Sequence, residues 1–193
     1  MQARWYLLSG EPAAYAAELG RAAELVQDSQ LMLLIGGELP WIGQSARGVE
    51  LAERGLRLDP GAIDRYRWVL QQTRFFTRRF EEAAAVSEAI AEPDRWDALY
   101  AALTYAELGR MADVERWRSR LFASDPGFSA ERFLSQYGNF VLPQAAVERA
   151  LWLEGLARAE LPKCATPEQL AADHGMRRMP ECDAERAAAV TKL

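Results

Sequence analysis

Cys164 and Cys182 are the two cysteines of this 193-residue chain, and their spacing allows one defined reaction, formation of a disulfide. Both lie beside prolines, in the segments LPKC and PEC. A disulfide between them would close a small loop and stabilise the C-terminal tail by about 3 kcal/mol. It requires an oxidising compartment, whereas two free thiols suit a cytoplasmic protein. We expect a cytoplasmic chain, or a periplasmic one if the disulfide forms.

Metal binding and catalysis have little support in the remaining residues. His174 is the single histidine, and together with Cys164 and Cys182 it provides no closely spaced pair of zinc ligands. The chain has no G-x-S-x-G, no H-E-x-x-H and no glycine-rich phosphate loop. We therefore expect no metal, no cofactor and no enzymatic activity.

Charge argues against a nucleic-acid partner, and hydropathy argues against a membrane span. Lys+Arg number 23 and Asp+Glu 28, for a net charge of −5, whereas nucleic-acid binding requires a basic surface. No apolar run is long enough to span a membrane. The N-terminal MQARWYLLSGEP lacks the apolar region of a signal peptide. It begins abruptly, as a boundary inside a longer protein would.

A second group of residues could hold a partner without reacting with it. Arginines would pair with the carboxylates of an acidic peptide, and aromatic rings beside them would take its apolar groups. The predicted partner-binding groove consists of Arg67, Gln71, Arg74, Phe75, Trp96, Leu99, Leu103, Phe133 and Tyr137. The alternative is that the aromatic residues are ordinary core. Likewise, Arg74, Arg78 and Arg79 could contact phosphate or form a solvated helix end.

These residues need helices to position them, and the composition favours helices. Alanine, leucine, arginine and glutamate dominate, whereas β-branched residues are scarce. The segment WDALYAALTYAELGRMADVERWRSRLFASDP (96–126) has the order typical of a tetratricopeptide (TPR) repeat. In it, Tyr105 is followed by the turn residue Gly109, a second amphipathic run and the closing Pro126.

Counting in steps of about 34 residues extends this pattern over most of the chain. It places Gly36 where two helices approach closely and Gly43 at a turn. Thr166, Pro167 and Gln169 form a capping box that starts a short tail helix, and Asp183 could cap a last one. We predict an all-α, right-handed TPR-like superhelix of antiparallel helix pairs. The TPR-like domain covers 1–162, and an extended tail with short helices covers 163–193. Within the domain we predict a half unit 1–27, three units at about 28–60, 61–93 and 94–126, and a capping pair 127–162.

The C-terminal part of this pattern also resembles a particular family. Asp125-Pro126-Gly127-Phe128-Ser129, Phe133 and EGLARAELP (154–162) resemble the TPR region of bacterial class III adenylate/guanylate cyclase-like proteins and related winged-helix regulators. There, "PGFS…RF" precedes "EGLRKAGLP"; here Glu160 replaces a glycine. The resemblance covers roughly 28–162.

These 193 residues contain neither the α/β domain of a cyclase nor the basic recognition helix of a winged-helix protein. The resemblance therefore implies a non-catalytic regulatory or scaffolding module that binds a protein or peptide segment in its concave groove. The alternative is a self-associating helical repeat protein, a homodimer for example, with Trp5-Tyr6-Leu7-Leu8 as the contact.

Overall fold

The computed structural model describes residues 11–137 and 145–190, which form α-helices and short 3₁₀ turns without a β-strand. The expected all-α class is therefore confirmed. In chain order the helices are α1 Pro12–Leu25, α2 Ser29–Glu38, α3 Ser45–Leu58, α4 Ile63–Phe76, α5 Phe80–Glu88, α6 Arg95–Glu107, α7 Met111–Ser124, α8 Ala130–Tyr137, α9 Ala146–Arg158, α10 Pro167–Ala172 and α11 Pro180–Val190.

Helices α2 to α7 form three consecutive hairpins, α2–α3, α4–α5 and α6–α7. In each hairpin the two helices contact each other, and α3 and α5 also contact the first helix of the next hairpin. The first helices α2, α4 and α6 contact one another in chain order. They therefore lie side by side and form one layer, which we call the first-helix face.

Two glycines predicted from the repeat pattern have the expected roles. A Cβ on Gly36 would lie 2.8 Å from the carbonyl oxygen of Gly48 in α3, so this hairpin depends on backbone-to-backbone contact. Gly43 has φ 79°, in the left-handed region that glycine adopts without strain, where the chain turns into α3. The turn at Gly109, with φ 69°, repeats this feature between α6 and α7.

Some predicted helix boundaries are wrong. The repeat pattern predicts that the second helix of the middle unit continues to about residue 92, but α5 ends at Glu88. Pro93 follows closely and disfavours the helical conformation in the residue before it. The amphipathic run PQAAVERALWLEGLARAEL predicts a helix over 143–161 with Pro143 in its first turn. The structure describes this helix from Ala146 to Arg158, and Pro143 lies outside the described residues. The last helix begins at Pro180 and not after Asp183, consistent with proline's preference for the first helical turn.

The C-terminal part differs from the expected capping pair and extended tail. Helix α9 contacts α6, α4 and the 3₁₀ turn Leu39–Ile42, so it reaches back across the hairpins instead of only closing their end. The tail folds back, with Met179 and Cys182 buried in the same core cluster as α6 to α9. The tail is therefore part of the packed core, because its apolar residues find partners there.

Candidate functional site

Helix α9 covers part of the first-helix face, over α4 and α6. A Cβ on Gly155 would lie 3.3 Å from side-chain atoms of Leu103 in α6 and of Phe75 in α4. The Trp152 ring lies 6.1 Å from that of Trp41, in the 3₁₀ turn after α2. A small residue and an aromatic residue thus let α9 lie closely on this face. The chain fills with its own helix part of the surface that we expected to be open.

Polar contacts at both ends fix the position of α9. The Ser45 hydroxyl donates a hydrogen bond to the Glu148 carboxylate over 2.7 Å, and both side chains are buried. At the other end, Arg158 pairs with Glu107 of α6 at 2.8 Å. Because a one-residue slip of α9 would break both contacts, they specify its register on the face.

The burial of five predicted groove residues corrects the expectation of an open groove there. Gln71, Phe75, Leu99 and Leu103 are 0% exposed and Phe133 is 1% exposed. The Gln71 amide donates to Ser87 over 2.6 Å and to the Asp97 carbonyl over 3.1 Å. These residues belong to the core, which is the alternative that the sequence left open. Helical spacing identified apolar positions, but it could not show that α9 or a neighbouring helix covers them.

The predicted arginines are engaged within the chain. Arg67 pairs with Asp64 and donates to the Ala89 carbonyl. Arg74 donates to the Glu82 carbonyl at 3.3 Å and lies 3.9 Å from Glu53. Both guanidinium groups therefore already have acceptors within the chain, on or beside α3, α4 and α5.

The basic cluster that could contact phosphate or form a solvated helix end is largely neutralised. Arg79 pairs with Glu53 at 2.9 Å and donates to Glu82 at 2.7 Å. The hydrogen bond from Arg79 lowers the pKa of Glu82 below its ordinary value. Arg78 is exposed, with φ 59° at the turn between α4 and α5. The arrangement agrees better with a charged helix end than with a phosphate site.

Exposed apolar residues lie on α2, which is not among the helices with which α9 makes its main contacts, and a half-buried tryptophan lies beside them on α4. Leu31 and Leu34 of α2 are 51% and 39% exposed. Trp68 of α4 is half-buried: its ring lies 3.3 Å from the position of a Cβ on Gly37, and 6.0 Å from the ring of Trp96 in α6. We call this surface, with the exposed Arg65 beside it, the open ledge; its members are Leu31, Leu34, Arg65 and Trp68.

Sequence reasoning missed most of the open ledge. The run LMLLIGG in α2 is apolar all round, which is more than one packed face requires. That excess was the available signal. Of the predicted groove, Trp96 lies half-buried beside the ledge, and the side chain of Tyr137 lies outside the described residues.

The tail contains a second organised site, centred on Glu131 of α8. This carboxylate is 0% exposed and accepts hydrogen bonds from the Ala165 amide at 2.9 Å, the Met179 amide at 3.0 Å and both terminal nitrogens of Arg186 at 2.9 and 3.0 Å. Burial raises the pKa of Glu131, but these hydrogen bonds outweigh it and the net pKa is lowered. Glu131 is therefore a buried anion whose partners come from the tail.

The two cysteines are joined beside this carboxylate. Cys164 and Cys182 form a disulfide with a Cα–Cα distance of 5.4 Å. Of the two states that the sequence allowed, a disulfide or two free thiols, the structure contains the disulfide. A pocket of about 220 Å³ lies against the bond, and Leu170, Glu185 and Arg186 contribute to its wall. A wider cleft of about 520 Å³ lies elsewhere, between Gln30 and Tyr66.

No group of three or more His, Cys, Asp or Glu side chains within residues 11–137 and 145–190 is arranged to hold a metal ion. None of the helices described there is both long enough and apolar enough to cross a membrane.

Comparison of the chain with protein-family models, curated proteins and solved structures found no match. The TPR assignment and the resemblance to cyclase-associated regions therefore stay predictions that depend on the residues quoted above.

Proposed function

We propose that this chain is a non-catalytic protein-interaction module made of TPR-like hairpins in a right-handed superhelix. The observation that carries the proposal is α9, which lies across α4, α6 and the 3₁₀ turn after α2. A face that holds one helix through an apolar stripe and polar ends has the chemistry to hold another. Stacked hairpins with a continuous face of first helices commonly provide such extended binding surfaces.

The open ledge suits an amphipathic helix of a partner protein. Leu31, Leu34 and Trp68 offer apolar surface next to the part of the face that α9 covers. Arg65 is exposed beside them and could pair with a carboxylate on the partner. The partner helix would therefore present apolar residues at i, i+3 and i+4, with an acidic residue at one edge.

Displayed libraries of helical peptides, selected on the whole chain, test this proposal. We expect enriched peptides with the apolar spacing and acidic edge described above. Leu31→Glu combined with Leu34→Glu should weaken their binding at least tenfold, because a charge would be placed in the apolar contact. Met111→Glu is the matched control, since Met111 is 52% exposed on α7. It should change the Kd less than twofold.

Two outcomes would count against the proposal. One is that no amphipathic helix is enriched; the other is that the enriched peptides bind the double variant as tightly as the original chain. Because both leucines are substantially exposed, the double variant should fold, and its urea midpoint is the check.

Self-association is the alternative function. Trp5-Tyr6-Leu7-Leu8 lie outside the described residues, but Leu25, at the end of α1, is 72% exposed, which favours an apolar contact near this end. Light scattering across dilution separates the two functions. A constant monomer mass at micromolar concentration would argue against self-association, and a dimer sensitive to Leu25→Glu would support it.

The regulatory role and the compartment are part of the same proposal. The resemblance to cyclase-associated repeats supports a scaffolding role, which a cyclase or DNA-binding domain encoded in the adjoining sequence would strengthen. The Cys164–Cys182 disulfide supports the periplasmic alternative over the cytoplasmic one. A thiol count on protein from intact cells, with and without reductant, measures this directly.

A further inference from the structure

We propose that Cys164 is a thiol–disulfide exchange site, and that its bond to Cys182 is a redox-dependent lock holding the tail on α8. The proposal concerns the tail and is independent of the open ledge. It combines three observations: unequal exposure of the two cysteines, a pocket against their bond, and a buried carboxylate whose hydrogen-bond donors lie on both sides of the bond.

The exposure of the two cysteines directs a reductant to one of them. Cys182 is 0% exposed, whereas Cys164 is half-buried. The pocket of about 220 Å³ borders the bond, and Pro167 and Leu170 form part of its wall. A thiolate entering this pocket meets the sulfur of Cys164 more readily than that of Cys182. Because exchange depends on access to the attacked sulfur, Cys164 is the site of attack.

The reaction uses a dithiol and balances. One thiolate of the dithiol attacks the Cys164 sulfur, forming a mixed disulfide and breaking the bond to Cys182, which leaves as a thiolate and takes up a proton. The second thiol of the reductant, after losing its proton, attacks the reductant's own sulfur in the mixed disulfide and releases the Cys164 thiolate, which is then protonated. The dithiol is oxidised to a disulfide, and the two cysteines are reduced to thiols.

The disulfide connects the segments that satisfy Glu131. Ala165 directly follows Cys164, and its amide donates to Glu131 over 2.9 Å. On the other side, Met179 and Arg186 flank Cys182 and donate over 3.0 and 2.9 Å respectively. One covalent bond therefore holds two donor segments around a single buried carboxylate.

The start of α8 depends on the neighbouring residues. The Ala130 amide donates to the Pro162 carbonyl and the Glu131 amide to the Lys163 carbonyl, both over 2.9 Å. These bonds satisfy amide groups of the first turn, which have no partner within the helix. Opening the disulfide gives the chain after Lys163 more freedom, so the tail is released more often and the Glu131 carboxylate regains water. Reduction is thereby coupled to local opening at α8.

Hydrogen–deuterium exchange on the whole chain, oxidised or reduced with dithiothreitol, tests the lock. We expect the amides of Ala165 and Met179 to exchange at least tenfold faster in the reduced protein. The amides of α2 should change less than twofold, because they are remote from the tail. Equal exchange at Ala165 and Met179 in the two states would overturn the lock.

The double variant Cys164→Ser/Cys182→Ser is the matched control. Without reductant it should already show the fast exchange of the reduced chain, and dithiothreitol should not change it. Exchange as slow as in the oxidised chain would show that the bond does not hold the tail.

The site of attack is mapped with glutathione and iodoacetamide. Oxidised protein is treated with glutathione under native conditions, the reaction is then stopped with excess iodoacetamide, which alkylates the released thiol, and both cysteines are identified by mass spectrometry. We expect glutathione on Cys164 and the carbamidomethyl group on Cys182. The reverse pattern, or reaction only after denaturation, would overturn the assignment of Cys164. Either failure leaves the ledge proposal standing, because that proposal is tested on a different surface.

Discussion

The first hairpin and the C-terminal tail are held together by different means. In α2–α3 the backbones touch directly, with Gly36 against Gly48 and Gly55 against Ser29. In the tail, specific side chains make the contacts: Glu131 meets Arg186 across 55 positions of sequence, and a disulfide closes the loop. The hairpin thus depends on the absence of side-chain atoms, whereas the tail depends on particular polar groups.

This difference separates local from long-range order. The hairpins are formed by segments adjacent in sequence, so each can form its main contacts with little loop closure. The tail and α9 rely on distant partners, as in the Ser45–Glu148 pair, which spans 103 positions. The C-terminal region should therefore respond most to the loss of single side chains and to conditions such as pH and redox state.

The largest effect is expected from Trp152→Ala in α9. Trp152 is 1% exposed and contacts Trp41, so its removal leaves a cavity between α9 and the first-helix face. We expect a loss of about 4 kcal/mol in the free energy of unfolding, measured by urea denaturation. Val147→Ala on the same helix is the control, since Val147 is 71% exposed and should change stability by less than about 0.5 kcal/mol. Equal effects would show that α9 is not packed as described.

Gly36→Ala tests the backbone contact of the first hairpin. Its Cβ would lie 2.8 Å from a backbone oxygen of Gly48, so α2 and α3 must separate. We expect the free energy of unfolding to fall by about 2 to 3 kcal/mol. Gly20→Ala in α1 is the matched control because, apart from the neighbouring residues and backbone of α1 itself, no atom lies within 4 Å of the added Cβ. It should stabilise the protein by about 0.5 to 1 kcal/mol through helix propensity, and a destabilising Gly20→Ala would weaken this comparison.

Glu131→Gln tests the polar organisation of the tail. Glutamine keeps a carbonyl oxygen as acceptor but has no negative charge to pair with Arg186. We expect the free energy of unfolding to fall by about 2 kcal/mol at pH 7. Because the pKa of Glu131 is lowered in the folded state, its carboxylate stabilises the fold above pH 4.5, the ordinary pKa. This stabilisation is lost as the pH falls through the folded-state pKa. Urea denaturation from pH 7 to pH 3 should show a smaller acid loss in the variant; identical pH profiles would refute the role of Glu131.

Asp97→Asn should have the smallest effect and the opposite sign. Burial raises the pKa of Asp97, in the first turn of α6, to about 6 from 3.8. The protonated Asp97 side chain therefore contributes fully to the free energy of unfolding below pH 3.8, and this contribution is lost as the pH rises through about 6. Asparagine can still accept the bond from the Asp94 amide, which Asp97 accepts at 3.0 Å. We expect the variant to be about 1 kcal/mol more stable at pH 7. A less stable variant would mean that the charged carboxylate is needed.

Several features were predictable because they depend on neighbouring residues. The capping box of Thr166 and Gln169, with Pro167 at the first helical position, is present as predicted. Gly36 and Gly43 have their predicted roles because close approach and positive φ both select glycine. By contrast, the partners of Arg67 and Arg79 were not predictable, since a long charged side chain can reach several neighbours.

The sequence by itself determined the all-α class, the turns and the possible pairing of Cys164 with Cys182. Each of these follows from local propensity or from a small number of candidate partners. Only the tertiary structure decided that α9 covers Phe75 and Leu103, and that the tail surrounds Glu131. The physical reason is that an apolar stripe specifies burial without specifying what buries it. That choice depends on the fit between surfaces far apart in the chain.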